Sequence, residues 1–176
     1  MRNAQSGFSM IEILITIAIL VVGLLGLAGL QANVSKVEFE GYQRGQALVL
    51  VQEIADRINS NKKNAASYVA NDIGATGVVQ SCGGLLGVPR DLCEINNEVV
   101  GASEKKTTGG AAVGGMLNAR VCITSPSINI YTVTVVWQGL RKTKAPSEAC
   151  GAGQYGDDTL RRTVSFPVRV ATLTAP

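Results

Sequence analysis

A single carboxylate, Glu12, stands inside the run Gly7–Leu30 (GFSMIEILITIAILVVGLLGLAGL), where only Ser9, Glu12 and Thr16 carry polar side-chain atoms. On insertion scales a charge inside an apolar span costs about 2.5–3.5 kcal/mol, so it marks a role with a partner to be named. If Met1–Gly7 stays attached, Glu12 lies at a membrane edge and snorkels to water. If the chain is cut before Phe8, a new α-amino group stands about one helical turn away and an ion pair becomes available.

The other residues with chemistry are the four cysteines, Cys82, Cys93, Cys122 and Cys150. None forms a C-x-x-C pair, which argues against a zinc site and a thioredoxin-like motif. Outside the cytoplasm they are expected as disulfides. Of the three possible pairings, Cys82–Cys93 and Cys122–Cys150 are favoured. The first joins the nearest neighbours and closes a Gly-rich loop; the second ties a strand to the loop after the next strand. Four free buried thiols are the alternative.

Histidine is absent, which removes Ser-His-Asp and Cys-His nucleophile systems and imidazole-bound metals. Asp91, Glu94 and Glu98 lack the spacing of a calcium loop. The Gly-rich stretches lack the Lys-Ser/Thr of a phosphate loop. No catalytic residue, cofactor or metal is expected, and the chain reads as a non-enzyme. A net charge of +3 over 176 residues, with no basic block, gives no reason to expect nucleic acid as a partner.

The elements that carry these residues follow from the hydrophobic pattern. Phe8–Leu30 meets the roughly 20 apolar residues that a membrane-spanning helix needs. Removal as a secretory signal is disfavoured, because the basic region is thin and the small-residue sites after the core place Leu at the −3 position. No Pro occurs before Pro89. Val34, Val37, Leu48, Val51, Ile54, Ala55 and Ile58 recur at helical spacing. Glu40 with Arg44 and Glu53 with Arg57 are acid-first pairs four apart. One helix is therefore expected from about Ser9 to about Asn59, apolar in its first half and amphipathic in its second. Gly23, Gly26, Gly29, Gly41 and Gly45 weaken it.

Residues 62–118 are rich in Ala, Asn, Gly, Ser and Thr and read as loop, with a short helix over Asp91–Glu98 behind Pro89. Strands are expected at Arg120–Thr124, Ile128–Trp137 and Thr163–Thr172. Tyr131, Val133, Val135 and Trp137 share one face of the second; Val164, Phe166, Val168 and Val170 share one face of the third. Pro167 marks an edge strand or a position that donates no bond. The three strands make an antiparallel sheet over the amphipathic half of the helix.

Gly7-Phe8-Ser9-Met10-Ile11-Glu12 resembles the signal of type IV pilins and type II secretion pseudopilins. In that family a short leader ends in Gly, Phe usually follows, and Glu stands fifth after the cut. The resemblance implies cleavage between Gly7 and Phe8 by a prepilin peptidase, N-methylation of Phe8, and assembly through Glu12 and the Phe8 amine. It implies an α+β type IV pilin fold, a long N-terminal helix on a small antiparallel sheet with disulfide-tied loops. The segment Gln43–Asn61, with Gln43, Arg44, Gln46, Ala47, Arg57, Ile58 and Asn61 in matching places, is similar to PilV-type minor pilins, as is Gly23–Gln31. Major pilins commonly carry Pro where Gly29 stands here.

The expected organisation is a leader (1–7), a transmembrane and assembly segment (8–30), an amphipathic helix (31–61), a variable loop-rich region (62–118) and a sheet with C-terminal loop (119–176). Residues 31–176 are expected to form one globular domain. The expected function is that of a minor pilin in a type IV pilus tip or priming complex, with a type II secretion minor pseudopilin as the alternative. The resemblance implies as partners the prepilin peptidase, other minor pilins, the major pilin, the inner-membrane assembly platform and membrane lipid. It also implies a single-pass inner-membrane protein with a periplasmic C-terminal domain that later enters a surface pilus.

Overall fold

The computed structural model describes residues 9–107 and 112–171. The chain divides into two compact units, Met1–Phe39 and Glu40–Pro176. Helix α1, Met10–Ser60, contributes to both. In the first unit every described side chain is exposed, including the apolar ones from Met10 to Leu30. The helix is long and apolar enough to cross a membrane. Thr16 fits that setting, since its hydroxyl donates to the Ile13 carbonyl at 2.8 Å and so is itself paired within the apolar run.

The second unit is built on the rest of α1. Gln43, Ala47, Leu50, Val51, Ile54, Ala55 and Ile58 are buried, three or four apart, so they form one stripe. Leu48 was expected on that stripe but is 52% exposed. The inward stripe runs through Ala47 and Leu50, and Leu48 lies roughly a third of a turn outside it.

A 3-10 turn, Lys62–Tyr68, leads to strand β1, Ala70–Ile73. Helix α2 covers Val88–Val100, longer at both ends than the helix expected over Asp91–Glu98. Pro89 sits in its first turn, where a missing N–H costs nothing. Its last turn closes on Gly101, at φ 77°, whose N–H donates to Glu98 at 3.0 Å while Ala102 donates to Asn97 at 2.8 Å. A Cβ at Gly101 would lie 1.8 Å from the Gly115 nitrogen, so only glycine fits this left-handed cap.

Strands β2 (Arg120–Ser127), β3 (Ile130–Gln138) and β4 (Arg161–Arg169) complete an antiparallel sheet of order β1-β2-β3-β4. The sheet thus has four strands rather than the three expected. β1 escaped notice because ANDI has no alternation, and its pairing with β2 is interrupted by a bulge containing Asp72 at φ 57°. Thr172, the expected end of the last strand, lies outside the described residues.

The core joins Ile54 and Ile58 of α1, Tyr68, Ile95 of α2, and Val121, Ile123, Val133, Val135 and Val168 of the sheet. Burying each aliphatic side chain contributes about 1.5–3 kcal/mol. Tyr131, Val133, Val135 and Trp137 are buried on one face as expected. Val136, on the other face, is also fully buried, beneath Gly151, where a Cβ would lie 2.9 Å from Val136 Cγ2. Phe166 of the β4 apolar face is half exposed, since β4 is an edge strand.

The β4 register places Pro167 opposite Thr132. Gly139 N–H bonds Leu160 and Val170 N–H bonds Asn129 at the two ends of this ladder. Bonded pairs alternate in an antiparallel ladder, so Val164, Phe166 and Val168 bond to β3. The Pro167 nitrogen faces the open edge, where it breaks no ladder bond.

The architecture is a long N-terminal helix, apolar in its first half, whose second half packs on a small four-stranded antiparallel sheet with two disulfides: an α+β, type IV pilin-like fold.

Candidate functional site

The first unit carries the assembly candidate. Glu12 lies in the first turn of α1 and its N–H donates to the Ser9 carbonyl at 3.0 Å. A carboxylate there is favoured by the helix dipole. Its side chain is exposed, and among the described residues no cation forms a salt bridge with it. Gly7 and Phe8, the expected cleavage junction and methylation site, lie outside the described residues. The segment that follows offers an uninterrupted apolar surface around the whole helix, suited to lipid or to other apolar helices. A Cβ at Gly23, Gly26 or Gly29 would meet nothing within 4 Å.

The second unit is tied by covalent and ionic fasteners. Cys82 bonds to Cys93 and Cys122 to Cys150. The first fixes the loop before α2 to that helix. Asn96 and Asn97 reinforce it: Asn96 accepts from Gly74 N–H and donates to Val78, and Asn97 both accepts from and donates to the Gln80 backbone. The second disulfide ties β2 to the long β3–β4 connection.

That connection is gathered around two arginines at the start of β4. Arg161, with a side chain only 2% exposed, donates to the carbonyls of Pro146 (3.1 Å), Glu148 and Cys150 (2.9 Å), and approaches Asp158 at 3.4 Å. Arg162 donates to Thr143, Thr159 and the Arg141 carbonyl, and its guanidinium meets Glu40 at 3.4 Å. Glu40 was expected to pair with Arg44. Instead its Oε1 accepts the N–H groups of Leu140 and Arg141, each at 3.0 Å. Two backbone donors and a guanidinium from the folded domain outcompete an exposed partner four residues away.

Glu53 and Arg57 do pair, at 2.8 Å. Arg57 also reaches across to α2, meeting Glu94 and Glu98 at 2.8 Å and Asp91 at 3.7 Å. The three acidic residues weighed for calcium are therefore the partners of one arginine. Burial lowers the affinity of Arg57 for its proton, but hydrogen bonds to Glu94 and Glu53 overcome this and raise its pKa. Hydrogen bonds from Arg57 and Arg90 hold Glu94 below its usual value. Tyr68 donates to Asp91, and burial followed by that bond pushes the phenol up to about 12.

Sequence reasoning missed the Arg57 cluster, the Glu40 clamp and the Arg161 staple. A signal existed for the first: Asp91, Glu94 and Glu98 share one face of α2 by their spacing, and such a face needs a basic partner. The other two depend on contacts between distant segments and leave no local pattern.

No curated protein and no solved structure matches the chain. A model of the prokaryotic N-terminal methylation motif matches residues 2–28. This motif implies processing by a prepilin peptidase and assembly with pilus components, and it agrees with membrane anchoring through α1. It also points to a structural protein rather than an enzyme. The motif, the exposed apolar helix that follows it and the disulfide-tied four-stranded domain together support a type IV pilin-like protein, a pilin or a pseudopilin.

Proposed function

We propose that the chain is a minor pilin, a structural subunit of a type IV pilus tip or priming complex that promotes pilus assembly. The observation that carries this reading is the fully exposed apolar stretch of α1 with Glu12 in its first turn. An apolar surface of that length needs lipid before assembly and other helices after it. The similarity of Gln43–Asn61 to PilV-type minor pilins favours the pilus over the type II secretion apparatus.

In this mechanism the chain inserts with its N-terminus in the cytoplasm and its domain in the periplasm. The peptidase cuts between Gly7 and Phe8, and the Phe8 amine is methylated. Extraction from the bilayer moves the apolar helix into a stack of like helices. Glu12 then pairs with the Phe8 amine of a neighbouring subunit, which offsets the cost of a carboxylate in an apolar setting and sets the axial register.

Deleting the gene and scoring surface pili alongside protein secretion tests the assignment. Loss of pili with normal secretion is expected. Loss of secretion with normal pili would make the chain a minor pseudopilin instead.

A further inference from the structure

Where α1 meets α2 in the second unit, two carboxylates sit on one nitrogen: Glu53 Oε1 and Glu98 Oε1 each lie 2.8 Å from Arg57 Nη2. Arg57 Nη1 is already engaged by Glu94 at 2.8 Å, with Asp91 at 3.7 Å. Among the described residues the one other cation paired with the cluster is Arg90, which binds Glu94 at 2.8 Å. Four carboxylates thus share two guanidiniums, and the fully ionised cluster carries two surplus negative charges. The surplus falls on Glu53 and Glu98, which have one donor nitrogen between them. A like charge held this close disfavours the ionised form of its neighbour.

We propose that Glu98, crowded by Glu53 at one nitrogen of Arg57, keeps a proton, and that this makes the junction of α1 and α2 a proton-controlled latch. It is closed in mildly acid surroundings and loosened as the pH rises. Among the described residues, the remaining groups that face the pair leave it no other neutraliser. Tyr68 is committed to Asp91, and Asp56 lies exposed on the rim of the adjoining depression. The residues over the other side, Gln46, Leu50 and Gly114–Met116, bring no charge.

The direction agrees with the shifted pKa of Glu98. Burial and then the nearby Glu53 charge push Glu98 up from 4.5 to about 7. A carboxyl whose folded pKa is raised binds more proton in the folded state. Its contribution is complete below 4.5 and is lost as the pH climbs through about 7. Glu94 acts oppositely, but its contribution is lost only as the pH falls below its ordinary 4.5. The interval between 4.5 and about 7 therefore belongs to Glu98.

The latch spans a joint that carries more than itself. α2 bears Cys93 and the asparagines that hold the preceding loop. Loosening α2 from α1 would loosen that whole face of the domain while leaving the sheet intact.

The test uses the full chain in detergent micelles. Infrared difference spectra should show a protonated carboxyl band that disappears with a midpoint near 7. The melting temperature should fall across the same interval. Glu98→Gln should abolish both the band and the fall. In Glu53→Gln, where the like charge is gone, the Glu98 transition should move down toward its ordinary 4.5. This second variant decides the matter if the first does not fold. No carboxyl band above the ordinary range in the wild type, or a transition unmoved in Glu53→Gln, would overturn the proposal.

Discussion

Arg161 Nη1 donates to the main-chain carbonyl of Cys150 at 2.9 Å, so a buried guanidinium and a disulfide grip the same residue of the β3–β4 connection. The two fasteners act from opposite sides. Sγ of Cys150 is bonded to β2 through Cys122, while its carbonyl is bonded to the first residue of β4.

Removing the guanidinium should therefore cost more than an ordinary surface change. Arg161→Met keeps most of the buried stem but leaves the carbonyls of Pro146, Glu148 and Cys150 without their donor. Unsatisfied buried acceptors cost about 1–3 kcal/mol each, and partial solvation of the loop holds the total near 3 kcal/mol. Denaturant unfolding of the oxidised protein checks this. An unchanged midpoint would mean the loop holds its shape without Arg161.

The two disulfides should differ in a predictable order. Cys122–Cys150 spans 28 residues and Cys82–Cys93 spans 11. Loop-closure entropy gives about 3.5 kcal/mol for the longer bridge and about 3 kcal/mol for the shorter. Paired Cys→Ser variants, compared by urea unfolding, should rank in that order.

The buried stripe of α1 makes a sharper comparison within two turns. Ile54 is fully buried and Leu48 is half exposed. Ile54→Ala should destabilise the domain by about 2–5 kcal/mol, whereas Leu48→Ala should stay within about 0.5 kcal/mol. Thermal unfolding of the two variants decides it. A large loss in Leu48→Ala would return Leu48 to the core.

The proposed assembly role of Glu12 separates from folding because Glu12 lies in the first unit with an exposed side chain, outside the core of the second. Glu12→Ala should insert and be cleaved normally, and the lost charge should ease insertion by about 2.5–3.5 kcal/mol. Incorporation into pili should drop. Immunoblots of sheared pili against membrane fractions measure both, and normal incorporation would remove the ion-pair step. Mass spectrometry of the mature chain should find an N-methylated Phe8 at its start; an intact Met1 would refute the processing.

Much of this fold could be read from the chain because its strongest signals are local. The α1 boundaries follow from an apolar run, the absence of Pro and an amphipathic stripe. The strands β2, β3 and β4 follow from β-branched runs. What stayed hidden was set by distant segments. β1 is four residues whose strand character comes only from pairing with β2. Val136 breaks the alternation of β3 because the β3–β4 connection folds over it. Glu40 forsakes the partner its spacing suggests for backbone donors a hundred residues later. Of the candidate site, Glu12 and the cysteines stood out by residue type and position. Arg57 and Arg161 did not, because an arginine's burial is decided by what packs around it.

Pro167 has a bearing on how copies of this chain behave when crowded. An open strand edge is a template on which a second chain can lay down a ribbon of β-structure. On β4 the outward-facing row runs through Thr163, Ser165, Pro167 and Arg169, and one of its donors is missing. An incoming strand would leave a carbonyl unanswered midway along and would meet the exposed charge of Arg169 beside the gap. Concentrated chains are thus steered away from sheet-to-sheet fibrils at this edge, and ordered polymerisation is left to other surfaces.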